Sequence, residues 1–133
     1  MSNLTDMIAL AREARARAHA PYSKFKVGAC VRAASGKLYA GCNVENAAYP
    51  QGQCAEATAI GAMVTAGDRE IVEVVVMGGG PGFCAPCGGC RQKLVEFAKP
   101  GTPVHLCTAK GRRRTATLGR LTPMFFGPKS LGK

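Results

Sequence analysis

The chain has 133 residues, of which 47% are hydrophobic, and its 18 Lys and Arg against eight Asp and Glu give a formal net charge of +10. This length suits one domain with its own core, and no apolar run reaches the roughly twenty residues needed to cross a bilayer. Residues 97–133 carry eight of the basic residues and no acid. No aromatic residues alternate with the basic run for base stacking, so the charge indicates a solvated segment rather than a nucleic-acid surface. We therefore expect one domain over residues 1–133 that includes a basic C-terminal segment, residues 110–133.

The hydrophobic pattern predicts alternating strands and helices. A first amphipathic helix is expected over residues 1–18, with Leu4, Met7, Ile8, Ala11 and Ala18 inward and the arginines outward. The predicted strands are residues 27–34 and 37–42, which form a hairpin around Ser35-Gly36, then 71–77 and 104–108, with a short strand or helical turn near 115–121. These elements favour an α/β fold in three layers, α/β/α, with a mixed five-stranded sheet.

The cysteine spacing carries the chemistry. Cys54-Ala55-Glu56 is followed about thirty residues later by Pro86-Cys87-Gly88-Gly89-Cys90. Three thiolate ligands leave the fourth position of a zinc ion for water, whereas a fourth protein ligand would make the site structural. A carboxylate beside the first ligand can take the proton of such a water, so the pattern indicates hydrolytic zinc chemistry with Glu56 as proton carrier.

The predicted starts of two helices explain the spacing of these cysteines. Cys54 is predicted to open an Ala-rich helix that stops at Gly67, and a second helix is expected to begin at Pro86 or Cys87. Cys87 and Cys90, three apart, would share one face of its first turn. The positive ends of both helices are expected to lower the pKa of the three thiols. Both starts should lie at strand carboxyl ends, where open α/β sheets place their ligands.

The remaining cysteines leave alternatives open. Cys30, Cys42 and Cys107 fall in apolar strand-like runs and are interpreted as packing residues. Cys84-x-x-Cys87-x-x-Cys90 could instead be part of an iron–sulfur ligand run with Cys54 as the fourth thiolate. That alternative leaves Glu56 unexplained and sets an acid beside an anionic cluster, so zinc is favoured. An odd cysteine count without an export signal favours a cytoplasmic location.

Several motifs in order resemble the small, single-domain cytidine deaminases of the cytidine and deoxycytidylate deaminase family, over nearly the whole chain. The matching segments are Ala20-Pro21-Tyr22-Ser23-Lys24-Phe25-x-Val27-Gly28-Ala29, Asn43-Val44-Glu45-Asn46-Ala47-Ala48-Tyr49, Cys54-Ala55-Glu56, Pro86-Cys87-Gly88-Gly89-Cys90-Arg91-Gln92 and Pro123-x-x-Phe126. The resemblance implies that Cys54, Cys87 and Cys90 hold one Zn²⁺ per subunit. It also implies that water attacks C4 of the base while Glu56 moves protons, first to N3 and then to the departing amino group. Cytidine and 2′-deoxycytidine would thus give uridine, 2′-deoxyuridine and ammonia, as in pyrimidine salvage.

The resemblance also implies the substrate contacts. Asn43 and Glu45 correspond to a ribose-binding pair that contacts the 3′-hydroxyl, Phe25 would pack on the base, and the Ala55 N–H would recognise the pyrimidine. Without the family pattern, Phe25 and Phe126 could be core residues and Asn43 a turn residue. The family's small members form homotetramers in which neighbouring subunits contribute to each site. The residues that match those contributed positions are Ala47, Tyr49 and Phe126.

One position departs from the family pattern. Members commonly carry an arginine directly after the catalytic glutamate, which donates to a thiolate, and Ala57 stands there in this chain. Three thiolates leave the zinc complex near a charge of −1, which opposes ionisation of its water. Arg91 matches a second charge-neutralising position. We therefore predict that Arg91 and the two helix N-termini supply more of the compensation.

Three other functions share parts of this pattern. Editing deaminases that act on RNA or DNA commonly use His as the first metal ligand, where this chain has Cys54, and they need a surface for flanking nucleotides. Deaminases of nucleoside-like antibiotics such as blasticidin S share the Cys-Ala-Glu and the later cysteine pair but differ in the loop that holds Glu45 and Asn46. The third is a structural zinc or iron–sulfur module without catalysis. The pattern favours a free nucleoside substrate and does not decide between cytidine and deoxycytidine.

Overall fold

The computed structural model of the protein describes residues 3–133. Met1 and Ser2, where the first predicted helix would begin, lie outside the described residues. The helices are α1 Leu4–Ala16, α2 Ala55–Thr65, α3 Gly88–Phe97 and α4 Leu118–Leu121, and the strands are β1 Gly28–Ala33, β2 Leu38–Cys42, β3 Ile71–Met77, β4 Pro103–Cys107 and β5 Arg113–Thr117. Between residues 3 and 133, no helix combines the length and apolar character of a membrane span.

The five strands form one mixed sheet in the order β2-β1-β3-β4-β5. Strands β3 and β4 are parallel, while the pairs β1–β2, β1–β3 and β4–β5 are antiparallel. The predicted mixed five-stranded sheet is confirmed. The segment expected to be either a strand or a helical turn contains both, because β5 leads directly into the single turn α4.

Helices cover both faces of the sheet. On one face Met7 and Ala11 of α1 pack against the strand residues Cys30, Val75, Met77 and Cys107. On the other, α2 and α3 cover a larger core that includes Val31, Met63, Val74, Leu94, Val104 and Leu118. The three layers follow from the alternation of side chains along each strand, since β3 is apolar on both faces. In α1, Met7 and Ala11 are buried as predicted, while Leu4 and Ile8 are only half-buried.

Sequence signals place the helix ends. Asn3 and Asp6 form a capping box at the start of α1. Cys54 and Cys87 are the N-cap residues of α2 and α3, and neither thiol caps its helix. After α2, Gly67 takes the left-handed conformation at φ +102°, which is why the chain leaves the helix there.

Strand direction brings the two cysteine-bearing helix starts to one edge of the sheet. Strands β2 and β3 both run antiparallel to β1 between them, so they point the same way. Helix α2 follows β2, and α3 follows β3. Cys54 and Cys87 therefore lie beyond the carboxyl ends of two strands that point in the same direction, as predicted.

Gly28 is where α1 approaches the sheet most closely. A Cβ at Gly28 would lie 1.9 Å from the Ala11 carbonyl oxygen and 2.7 Å from the Arg15 backbone nitrogen. Because these are backbone atoms, Gly28→Ala must shift α1, and we expect it to destabilise the protein by about 1–3 kcal/mol or more. Gly61, exposed within α2, has nothing within 4 Å of the same position.

The matched substitution Gly61→Ala is expected to stabilise the protein by about 0.5–1 kcal/mol, since alanine favours the helix. Urea unfolding of both variants measures the difference. A Gly28→Ala protein as stable as the wild type would contradict the close packing of α1 on β1.

Candidate active site

Three thiols meet where α2 and α3 begin. The Sγ atoms of Cys54, Cys87 and Cys90 lie within 4.8 Å of one another, and those of Cys54 and Cys87 are 3.8 Å apart. Cys54 and Cys87 are exposed, while Cys90, in the first turn of α3, is buried. Sulfur ligands at this spacing form a set that could hold one metal ion, and zinc favours such thiolate sites. The geometry thus brings together the three cysteines proposed as ligands from the sequence.

Glu56 lies in the first turn of α2, two residues after Cys54. Its side chain is 4% exposed, which is unusual for a carboxylate without a cationic partner. Burial raises the pKa of Glu56 above its ordinary value, and a hydrogen bond with the Cys90 thiol opposes that rise. The carboxyl group therefore shares its surroundings with the thiol cluster, as the sequence predicted.

The three thiols differ in how readily they ionise. A hydrogen bond from the Cys90 backbone N–H lowers the pKa of Cys87. Burial raises the pKa of Cys54 and of Cys90, and the nearby Glu56 raises both further. The prediction that helix N-termini lower all three values is thus wrong for Cys54 and Cys90, because desolvation outweighs the partial charge of the helix end. A divalent cation reverses this balance by binding the deprotonated sulfurs.

A pocket of about 290 Å³ opens onto this cluster. Seven of the predicted site residues line it: Phe25, Asn43, Glu45, Cys54, Ala55, Glu56 and Cys87. Phe25 is 40% exposed and so is not a core residue. The Ala55 N–H belongs to the first turn of α2, where backbone donors have no intrahelical acceptor. The pocket therefore offers an aromatic face, a backbone donor and two carboxylates.

Glu45 is held by the turn before Phe25. One oxygen, Oε1, accepts from the backbone N–H groups of Tyr22 at 3.0 Å and Ser23 at 3.1 Å, and Oε2 accepts from the Ser23 hydroxyl. These bonds, chiefly those from Ser23, keep the pKa of Glu45 below its ordinary value. A carboxylate has about four acceptor positions, so one remains on Oε2. An ionised Glu45 is thus fixed in place with one acceptor position open.

Asn43 connects the same turn to the hairpin. Its Oδ1 accepts from the Val27 N–H at 2.9 Å, and its Nδ2 donates to the Phe25 carbonyl at 2.8 Å. An amide nitrogen carries two hydrogens, so one donor remains. Asn43 is therefore both a support for the Phe25 segment and a possible donor to a ligand.

The residues predicted to serve a neighbouring subunit lie outside this pocket. Tyr49 is 73% exposed and lines an adjacent cavity of about 370 Å³, which shares Ser23 and Glu45 with the first. Ala47 is exposed on the same loop. Phe126 is 59% exposed, and its carbonyl accepts from Gln92 Nε2 at 2.8 Å.

Arg91 makes its described hydrogen bonds to backbone. Its Nε donates to the Pro86 carbonyl at 2.7 Å and its Nη1 to the Leu121 carbonyl at 2.6 Å. These bonds tie the segment before Cys87 to α4. Compensation of thiolate charge by Arg91 stays a prediction.

Sequence reasoning gave no role in zinc ligation or substrate binding to four residues that line the pocket: Ser23, Val27, Cys84 and Ala85. The structural role of Ser23 could have been predicted from the local sequence, because serine hydroxyls often accept hydrogen bonds in turns. Here the Ser23 hydroxyl accepts from the Phe25 N–H at 3.0 Å. Lys24 between them takes a left-handed conformation at φ 60°. The sequence suggests Cys84 only as a ligand of an iron–sulfur cluster, and the three-thiol cluster does not include it. Cys30 and Cys107 are buried in strands and Cys42 is half-buried, which fits the packing interpretation.

Comparison with known proteins identifies the family. Residues 1–106 match the family described as "Cytidine and deoxycytidylate deaminase zinc-binding region". The chain belongs to this family. A "Cytidine deaminase" from Sporosarcina psychrophila is 41% identical over 94% of this chain and 92% of its own. Another, from Halalkalibacterium halodurans, is 36% identical over 90% of this chain and 91% of its own.

Solved structures of family members have the same fold. The crystal structure of cytidine deaminase from Burkholderia pseudomallei superposes with a TM-score of 0.88 at 42% identity, covering 94% of this chain and 100% of that one. That of cytidine deaminase from Mycobacterium leprae has a TM-score of 0.79 at 36% identity, covering 93% and 100%. The three-layer fold predicted from the sequence is therefore that of the family, and the three clustered thiols fit the zinc ion for which the family is named.

Proposed function

We propose that this protein is a zinc-dependent cytidine deaminase that converts cytidine and 2′-deoxycytidine into uridine and 2′-deoxyuridine with release of ammonia. The observation that carries the proposal is the buried Glu56 beside three clustered thiols, at the end of a pocket with Phe25 on its wall. Membership of the deaminase family supports the same reaction. The reaction belongs to pyrimidine salvage.

Cys54, Cys87 and Cys90 hold the metal in this proposal. When zinc is bound there, it lowers the pKa of water and so supplies a nucleophile near neutral pH. Deaminases of this class use a glutamate that is not a ligand as general acid and base. Glu56 is the only buried carboxylate among residues 3–133 that lines the pocket.

Glu56 moves the protons. Its carboxylate accepts a proton from the water whose oxygen forms the new bond to C4, and delivers it to N3 of the ring. Glu56 then moves the proton of the new C4 hydroxyl to the exocyclic nitrogen, C4=O forms as the C4–N4 bond breaks, and ammonia leaves. A pKa raised by burial suits this role, because a group that must both accept and donate works best near the operating pH.

The other lining residues position the nucleoside. Phe25 packs on the face of the base, and the Ala55 N–H donates to the pyrimidine. Asn43 offers its remaining amide hydrogen to the ribose, and Glu45 offers its remaining acceptor position to the 3′-hydroxyl. A free hydroxyl can donate to Glu45, whereas a 3′-phosphate would be repelled by its negative charge. This favours a nucleoside over a nucleotide chain.

The test of the function is a uridine-formation assay on the purified protein with zinc measured in the same sample. We expect turnover of cytidine and deoxycytidine, and none of cytidine 3′-phosphate, of an oligonucleotide or of blasticidin S. Efficient deamination of the oligonucleotide would replace this proposal by an editing deaminase. Turnover of blasticidin S alone would replace it by an antibiotic deaminase.

Replacing Glu45 by Gln is expected to raise KM for cytidine by about tenfold, with a smaller change in kcat. The Gln carbonyl can still accept from the N–H groups of Tyr22 and Ser23, whereas its amide nitrogen would replace Oε2 and could not accept from the 3′-hydroxyl. With 3′-deoxycytidine, which lacks the hydroxyl, the wild type and Glu45→Gln should have similar KM values. The control is Glu13→Gln on the exposed face of α1.

Steady-state kinetics with cytidine and 3′-deoxycytidine tests whether Glu45 contacts the 3′-hydroxyl. If Glu45→Gln weakened cytidine and 3′-deoxycytidine by the same factor, the assigned contact between Glu45 and the 3′-hydroxyl would be wrong.

A homotetramer with sites completed by Ala47, Tyr49 and Phe126 of neighbouring subunits is also part of the proposal. The exposure of Tyr49 and Phe126, and the full exposure of Met124, support it, because large apolar side chains in solvent often mark subunit contacts. We further propose one domain over residues 1–133. All seven cysteines are free thiols, which supports a cytoplasmic location.

A further inference from the structure

A second pocket, about 350 Å³ in volume, lies between α1 and the turn that joins β4 to β5. Arg12 of α1, Thr108 and Gly111 of the turn, and Arg112 and Arg113 line it. It shares no lining residue with the pocket that holds Glu56. The pocket therefore gathers part of the basic segment that the proposed deaminase function does not use.

No described acidic partner neutralises the arginines that line this pocket. Throughout residues 3–133, no described ion pair involves Arg12, Arg112 or Arg113. No residue that lines the pocket is acidic, and the chain has no acid after Glu96. Burial raises the pKa of the Cys107 thiol beneath the pocket, but Arg113 and Arg12 both act against that rise, which places their positive charges near one point.

The turn that carries two of these arginines is well fixed. The Thr108 hydroxyl accepts from the Arg112 N–H at 3.1 Å, and the Thr108 N–H donates to the Arg112 carbonyl at 2.9 Å. Gly111 completes the turn at φ +94°, where a side chain would be strained. The Arg112 guanidinium lies over the Phe83 ring, 5.0 Å from its centre, a cation–π contact that limits its rotation. A ligand would therefore meet a largely preorganised site.

We propose that this pocket binds a phosphate-bearing small molecule. Guanidinium groups present paired N–H donors that match phosphate oxygens, and such charge-assisted bonds are stronger than neutral ones. The arginines come from two separate parts of the chain, so an anion in the pocket would lie near positive charge from both. An anion would also remove the repulsion among them.

The lining of the pocket favours a compact anion over a nucleic-acid chain. Single-stranded nucleic acids are held by a basic groove along which aromatic side chains stack on the bases. No aromatic residue lines this pocket. The single aromatic contact, Phe83, is already covered by Arg112.

Titration calorimetry of the zinc-loaded protein with pyrophosphate, at an ionic strength held constant with sodium chloride, tests the proposal. We expect saturable binding in the wild type and about tenfold weaker binding in Arg12→Gln and in Arg113→Gln. The matched control is Arg114→Gln, which loses the same charge one residue further along β5 but points to the opposite face of the sheet. It should change the affinity by less than twofold. Inorganic phosphate as a second probe should bind more weakly at the same residues.

Several results would overturn the proposal. They are the absence of saturable binding in the wild type, an equal loss in Arg114→Gln, and displacement of pyrophosphate by a single-stranded oligonucleotide at lower concentration. Melting temperatures of the variants guard against misfolding, and a conservative Arg113→Lys protein should retain part of the affinity. Because binding is measured directly, the result does not depend on the deaminase activity.

Discussion

Replacing Glu56 by Gln is expected to lower kcat for cytidine by about 10²–10⁴-fold, because the amide cannot accept or deliver a proton. The two side chains have nearly the same shape, and within residues 3–133 the buried Glu56 forms no described ion pair. The fold and the zinc content should therefore be preserved. Steady-state uridine formation, circular dichroism and metal analysis on one sample measure the three quantities together.

The control is Glu96→Gln, which makes the same chemical change on the exposed side of α3. It should leave kcat within a factor of two of the wild type. Retention of more than a tenth of the wild-type kcat in Glu56→Gln would exclude Glu56 as the proton carrier. Loss of zinc together with activity would instead make the carboxylate part of the metal site.

Replacing Cys87 by Ser is expected to remove most of the zinc and to reduce turnover below detection. A hydroxyl is a much poorer ligand for zinc than a thiolate, and Cys87 is the thiol whose pKa the structure already lowers. Cys84 supplies the matched control, since it lines the same pocket three residues earlier but lies outside the three-thiol cluster. Cys84→Ser should keep about one zinc ion per chain and most of the activity.

Metal analysis by mass spectrometry and the visible absorbance spectrum measure both variants. A visible absorbance band in the wild type that disappears in Cys84→Ser would favour the iron–sulfur alternative. Zinc retained in Cys87→Ser would show that the cluster of Cys54, Cys87 and Cys90 is not the metal site.

Local signals made most of the fold predictable. The run at residues 71–77 is apolar except for Glu73 and became β3 with the predicted bounds. Gly67 ends α2 because it can adopt a positive φ. Cys54 and Cys87 are N-cap residues, one residue outside the helices they were expected to open. Such boundaries depend on residues that are close together in the chain, so a sequence pattern can predict them.

What the sequence did not reveal depends on contacts between distant residues. Ser23 holds Glu45 across 22 positions in the chain, and only the folded structure brings them together. The raised pKa of the Cys54 and Cys90 thiols depends on how deeply each side chain is buried, which spacing does not contain. Likewise, no sequence pattern indicated that Arg12 of α1 lies beside the basic run near residue 112 in the folded protein.

The separation of Cys54 and Cys87 has a thermodynamic consequence. The two residues begin different helices, stand 33 positions apart, and have sulfurs 3.8 Å from each other. A metal ion bound by both sulfurs would act as a removable cross-link that closes a long loop. Closing such a loop restricts the conformations of the unfolded chain. The metal would then contribute to heat resistance as well as to catalysis. Demetallation would therefore lower the thermal stability of the fold together with the enzymatic activity.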